Sequence, residues 1–275
     1  MTFSTKITDW YSANKRDIPW RTDKNPYQIW LSEIILQQTR VAQGLPYYNK
    51  FENRFPTIES FANADIEEIL LLWQGLGYYS RGRNMHFAAN QVMAEFDGVF
   101  PSNFKELKKL KGVGDYTAAA IASIACDEAV AVVDGNVYRV HSRFFDEGTQ
   151  IDSSEVKKIF SQLANEIITK KNPGDHNQAM MELGALICSP KKPDCENCPL
   201  SNECVVAFTD KVDSLPVKSK KIKVRERYFN YVHLTFEDKV IIHKRGSGDI
   251  WEGLFQFPLI EGHSVDLSQE LESII

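Results

Sequence analysis

The chain has 275 residues, 43% of them hydrophobic and 25% charged, with a formal net charge of −5. This length accommodates about two domains, and the balanced composition excludes wholesale disorder. No apolar run approaches the roughly 20 residues of a membrane helix, and the start lacks the apolar core of a secretory signal, so a cytoplasmic protein with no membrane partner is expected. The excess of acids argues against blanket coating of nucleic acid but leaves room for a locally basic face.

Helical periodicity dominates up to about residue 205. Ile29, Trp30, Ile34, Leu36 and Val41 recur at helical spacing, as do Ile66, Ile69, Leu70 and Trp73, and later Ile159, Leu163, Ile167 and Ile168. Pro26, Pro46, Pro56, the Gly75/Gly77 pair, Pro101 and Pro173-Gly174 punctuate these runs. Asp152-Ser153-Ser154-Glu155 reads as a helix cap with an acidic first turn. From Lys211 to Arg227 seven basic residues face only two acids, around Pro216, so 211–226 is expected to be a basic linker. Beyond it, Tyr228–Leu234 and Lys239–His243 alternate with strand period, and Gly246-Ser247-Gly248 is a turn. The organisation expected is therefore a helical domain over 1–210 and a β-containing unit over 227–275. About fifty residues allow only a thin core, so the second unit reads as incomplete.

Several segments carry chemistry. Glu33 sits three or four residues from Ile29, Trp30 and Leu36, so its helical neighbours are largely apolar. Burial there would raise its pKa and suit it to donate a proton; the alternative is a Glu at the edge of the stripe, paired with Arg40. Trp73-Gln74-Gly75-Leu76-Gly77-Tyr78-Tyr79-Ser80-Arg81-Gly82-Arg83-Asn84 mixes aromatics, glycines and arginines. Such a patch either wedges into a base stack while holding phosphates, or is core aromatics with solvated arginines. In Leu110-Lys111-Gly112-Val113-Gly114-Asp115-Tyr116-Thr117, a lysine-rich helix (Lys105, Lys108, Lys109) stops at a Gly-x-Gly turn and a second helix begins. Free N–H groups at a helix start favour phosphate, which suggests a helix–hairpin–helix clamp; an ordinary interhelical turn explains the bare pattern equally well. Asp134 stands between an apolar run and a helix, as an N-cap or as negative charge beside a forming cation.

The cysteine pattern is stronger. Cys188, Cys195, Cys198 and Cys204 fall within seventeen residues, spacing that suits a metal rather than a secreted disulfide framework. Zinc and an iron–sulfur cluster both fit four such thiolates. Cys126, in an alanine-rich stretch, is expected to be a small buried residue.

In order and spacing these segments, with Pro19-Trp20-Arg21, Gln37-Gln38-Thr39, Val133-Asp134-Gly135-Asn136 and Asn177-Gln178-Ala179-Met180-Met181-Glu182, resemble the iron–sulfur helix–hairpin–helix DNA glycosylases, specifically the MutY type of adenine DNA glycosylase. The resemblance spans roughly residues 7 to 260. It implies a mainly α, two-lobed glycosylase domain with a [4Fe–4S] loop at 188–204, followed by a truncated Nudix-like α/β domain. It also implies a monomer, nucleoid-associated, that excises adenine mispaired with 8-oxoguanine or guanine in double-stranded DNA.

By this likeness Glu33 protonates the leaving adenine, Asp134 stabilises the positive sugar, and Tyr116 bonds within the same site. Gln38, Tyr78, Arg81, Gly112 and Gly114 meet DNA; Trp20, Arg21 and Gln178 surround the extruded base; Cys188, Cys195, Cys198 and Cys204 carry the cluster. The endonuclease III type is the near rival, but it has a Schiff-base lysine where this chain has Tyr116, and a phenol forms no imine. A non-catalytic lesion-binding scaffold is the third reading. The strand region lacks a Gly-x5-Glu-x7-Arg-Glu box, so diphosphate hydrolysis is not expected, and Leu267–Ile275 reads as the beginning of a helix.

Overall fold

The computed structural model of the chain describes residues 2–153, 155–218 and 224–263. Helices account for the first part: α1 Phe3–Asn14, α2 Pro26–Ile35, α3 Val41–Arg54, α4 Ile58–Ala62, α5 Ile66–Leu72, α6 Ser80–Glu95, α7 Phe104–Leu107, α8 Asp115–Cys126, α9 Gly135–Phe145, α10 Val156–Ile167 and α11 Pro173–Leu186. They divide into two lobes because the apolar residues form two separate clusters.

The larger lobe is built from α2 to α8. Seven of the ten residues of α2 are buried, so this helix is apolar on nearly every side and must run through the core. Asn25 starts it by accepting the N–H groups of Tyr27 and Gln28, and Pro26 at the first position loses no bond that the helix would have made. Around it pack Phe51, Phe55, Phe61 and Trp73, with Trp30 edge-on to Phe61 at 5.7 Å and Phe51 edge-on to Trp73 at the same separation. Each such ring contributes about 2 kcal/mol by leaving water. The smaller lobe joins the two ends of the helical region: Ile7 and Tyr11 of α1 pack with Val137 and Val140 of α9 and Met180 and Leu183 of α11.

Six short strands follow in three antiparallel pairs. Phe229–Tyr231 (β1) pairs with Leu259–Glu261 (β6), Thr235–Phe236 (β2) with Lys239–Val240 (β3), and His243–Lys244 (β4) with Phe255–Gln256 (β5). The expected strand runs are only partly realised: the first holds β1 alone, the second is interrupted between β3 and β4 and exposed throughout, and Phe236, Ile241 and Ile242 remain at least half exposed. No helix accompanies these strands among the described residues, and the helix expected at Leu267–Ile275 lies outside them. Arg83 of α6 reaches this region, donating to the carbonyl of Glu252 at 2.7 Å.

Several local expectations are corrected. The apolar run from Ile29 to Val41 is not one helix: the chain breaks after Ile35 and places Gln38 at φ 56° before α3 starts. Pro46 does not stop a helix but lies inside α3, at the cost of the bond that an N–H at this position would have given to the Ala42 carbonyl. The lysine-rich helix is a single turn, α7, and α10 begins at Val156 without a side-chain cap. Cys126 is half-buried at the end of α8 rather than enclosed. The start of the expected linker is no free tether: Leu215 is buried, and Val212 and Leu215 accept from the Arg143 guanidinium.

Candidate active site

A cavity of about 540 Å³ lies between the lobes, within the size range of small-molecule sites. Its walls come from α2, α3, α8, α9 and α11. Glu33 enters from α2, Tyr116 from the first turn of α8, Asp134 from the N-cap of α9, and Gln178, Met181 and Glu182 from α11. Trp20 and Arg21, in a 3-10 turn before α2, complete it. The predicted catalytic and base-pocket residues are thus brought together, although they are separated by up to 158 positions in the chain.

The carboxylates in this cavity differ in what surrounds them. Glu33 faces the cavity from deep in the apolar lobe. Burial pushes its pKa up to about 7; Asp134 pushes in the same direction, and Tyr116 by hydrogen bonding and Arg21 by charge oppose it. Arg40, the partner in the bland reading, is not among these influences. Asp134 is also raised by burial, but it is anchored: its Oδ1 accepts the Val137 N–H at 2.8 Å and its Oδ2 the Asn136 amide at 2.8 Å. It is therefore both the N-cap and the acid of the cavity, and the two sequence readings of this residue are compatible. Burial alone would raise Glu182 too, but Arg16 and Arg21 override it and bring the group down to about 2. Arg16 binds it through Nε at 2.6 Å and NH2 at 2.8 Å, and Arg21 through NH2 at 2.8 Å. Tyr116 is held well above the usual phenol range by burial and by both neighbouring acids, so it stays a neutral donor, with Met181 Sδ at 3.5 Å.

Base-pocket residues are fixed from behind. Trp20 is edge-on to Tyr48 at 4.8 Å, and Gln178 accepts from the Tyr11 hydroxyl at 3.2 Å. Sequence reading missed Glu182, Arg16, Asn136 and Arg139 as site residues. A glutamate in an apolar helix beside the quoted Asn177-Gln178 run was the available signal; Arg139 offered none. It donates to Asn136 Oδ1 at 2.8 Å and to the Cys188 carbonyl at 2.6 Å, so Asp134 is tied through two side chains to the start of the cysteine loop.

On the outer side, Gln38 and Tyr78 project. Both are non-glycine residues at positive φ, 56° and 46°, and Tyr78 is 65% exposed. Gly112, at φ 78°, closes the turn before α8; a Cβ there would come within 2.9 Å of Asn84. Gly114 needs no unusual φ and a Cβ would touch nothing within 4 Å, while the helix it opens has no side-chain cap. The first N–H groups of α8 therefore lack intrahelical partners beside an unobstructed backbone. Arg81, expected to meet DNA, lies half-buried beside this rim. Its guanidinium turns inward and is occupied by four backbone carbonyls.

Cys188, Cys195, Cys198 and Cys204 line one small cavity of about 30 Å³. Arg143 donates to Cys188 Sγ at 3.4 Å and to the Ser189 carbonyl at 2.8 Å, which fixes the start of the loop. Among the described residues, no group of three or more His, Cys, Asp or Glu side chains is arranged to hold a metal ion.

Two lobes with a hairpin-opened helix and a buried acid between them define a helix–hairpin–helix DNA glycosylase. Residues 31–166 match the HhH-GPD superfamily of base excision DNA repair proteins. A thermostable thymine-DNA glycosylase of known structure superposes with a TM-score of 0.68 at 31% identity, covering 74% of this chain and 94% of that one. An adenine DNA glycosylase of Buchnera aphidicola (subspecies Schizaphis graminum) is 37% identical over 257 residues, covering 93% of this chain and 74% of the relative. The adenine DNA glycosylase of Rattus norvegicus is 44% identical over 211 residues, covering 74% of this chain and 41% of the relative. The chain belongs to the adenine DNA glycosylases of this superfamily, and it is a DNA glycosylase enzyme of base excision repair.

Proposed function

We propose that this chain removes adenine mispaired with 8-oxoguanine or guanine from double-stranded DNA, and that it does so without cutting the strand. The observation that carries the reading is the pairing of a carboxyl group whose pKa lies near 7 with a second, donor-anchored carboxylate in one cavity. Loss of a purine leaves a cation-like sugar, so the leaving base needs a proton and the sugar needs negative charge. The adenine leaves the stack and enters the cavity between Trp20, Arg21 and Gln178. Glu33 hands its proton to the ring nitrogen of the departing base, and Asp134 faces the sugar as positive charge develops. Tyr116 keeps its proton, orients Glu33, and offers no amine for a covalent sugar adduct. The open start of α8 and the wedge pair Gln38 and Tyr78 support the DNA side of this reading.

Cys188, Cys195, Cys198 and Cys204 would hold a [4Fe–4S] cluster. The four thiols line one shared cavity, which suits the four thiolate ligands that such a cluster takes. Bound there, the group would stiffen the loop and orient it toward DNA. The strands within 227–275 would form part of a Nudix-like unit that checks for the oxidised base, the helical domain being 1–210 and the connection 211–226. No helix among the described residues is long and apolar enough to cross a membrane, and a monomer working on cytoplasmic, nucleoid DNA is the proposed state.

One labelled duplex tests this. Single-turnover incubation with an 8-oxoguanine·adenine duplex should release adenine and leave the strand intact until alkali is added, and borohydride should trap no adduct. Trapping would restore the lyase reading; binding without release would make the chain a scaffold. Purified protein should be yellow-brown, and a colourless zinc protein would remove the cluster.

A further inference from the structure

Arg81 is the second residue of α6 and lies half-buried behind the cleft rim. Its NH1 donates to the carbonyls of Ile34 at 3.0 Å and Gln37 at 2.6 Å; its NH2 donates to those of Leu76 and Gly77, both at 3.3 Å. Its Nε is buried, and the guanidinium lies over the Trp73 ring, 5.2 Å from its centre, and 5.7 Å from that of Tyr78. Little of this group is left to meet a phosphate.

The identity of the four carbonyls is informative. Gln37 and Gly77 immediately precede Gln38 and Tyr78, both of them exposed residues at positive φ. A non-glycine residue in that conformation is uncommon and persists where its surroundings enforce it. Ile34 belongs to the last turn of α2, where its carbonyl accepts a long bond from the Gln37 N–H at 3.3 Å, and it follows Glu33. One rigid fork thus joins the end of the acid-bearing helix to two separate loops, each of which presents a projecting side chain. A lysine cannot reproduce this, because a compact ammonium lacks the flat array of donors.

We infer that Arg81 is a positioning residue for base extrusion: it clamps the loops of Gln38 and Tyr78 at a fixed spacing beside the Glu33 helix, rather than binding the DNA backbone. This rests on the glycosylase reading and deepens it. Weakening the clamp leaves the catalytic groups in place but lets the two wedges drift, so the cost falls on taking the base out of the stack.

The test uses the full chain, with R81K and R81Q compared with the parent. Three quantities are read: 2-aminopurine fluorescence at the target position, single-turnover adenine release, and the salt dependence of duplex affinity. With adenine opposite 8-oxoguanine, both the fluorescence gain and the release rate should fall, the rate by about 10- to 100-fold. With adenine opposite an abasic analogue, where extrusion costs less, the loss should shrink to within about threefold. In a chain already carrying Q38A and Y78A, R81K should add little, because contacts acting through one another are not additive. The salt slope should stay unchanged. A slope shallower by about one with normal extrusion would make Arg81 a phosphate ligand. Equal losses on both duplexes, or failure of both variants to fold, would make it a general determinant of the fold; either outcome overturns the inference. A parent chain that releases no adenine from any duplex would instead sink the function on which the inference rests.

Discussion

The two walls of the cleft use the same chemical group to opposite ends. On the α2 side Glu33 is surrounded by an apolar helix and supported mainly by a phenol, and its pKa lies near 7. On the α9 and α11 side Asp134 accepts two donors and Glu182 is gripped by two guanidinia, which drives Glu182 down to about 2. Glu182 is buried and the other two are partly so. Burial raises the pKa of all three, donors hold Asp134 back, and only the two guanidinia at Glu182 overcome it. One wall stores a proton; the other stores negative charge.

The sharpest way to break this contrast is E33Q, which keeps the shape and removes the transferable proton. Single-turnover adenine release should fall by about 10²–10⁴-fold, and a variant within tenfold of the parent would exclude Glu33 as the acid. In the parent chain the rate should decline as pH rises through about 7, where Glu33 loses its proton. The decline should vanish in E33Q.

Removing charge from the other wall tests its half. E182Q leaves Arg16 and Arg21 facing a neutral amide and should destabilise the fold by about 3 kcal/mol, read by denaturant melts. The cost should disappear at strongly acidic pH. Glu182 stabilises the native state above its unfolded pKa of 4.5, and that contribution is lost as pH falls toward about 2.

Stability should respond in the opposite sense at Glu33. Its folded pKa is raised from 4.5 to about 7, so its favourable contribution is present below 4.5 and lost as pH rises through 7. E33Q should thus be more stable than the parent by on the order of 2 kcal/mol at pH 8 and no more stable at pH 4. A smaller effect is expected from N136A, which removes one donor from Asp134 and should cost about 1 kcal/mol of stability while slowing adenine release. An unchanged release rate would mean that the Val137 N–H alone holds the carboxylate.

Local chemistry made much of this molecule readable in the chain itself. The apolar surroundings of Glu33, the Asp134 cap, the Gly112-to-Gly114 turn and the four cysteines are patterns of neighbours within a few positions, and backbone geometry translates them directly into helices, turns and loops. Even so, periodicity was blind to the break between α2 and α3, because an apolar residue on each side of a turn reads like one continuous stripe. It also left Arg81 facing outward, since nothing in a sequence says which carbonyls a guanidinium will find.

Tertiary structure decided what depends on partners far along the chain. Glu182 is a buried ion only because Arg16 and Arg21, more than 160 positions away, arrive beside it. Asp134 is joined to the cysteine loop only because Arg139 spans from α9 to Cys188. Residue types set which reactions the cleft can perform; the electric field that chooses which acid keeps its proton is a sum over neighbours that only folding assembles.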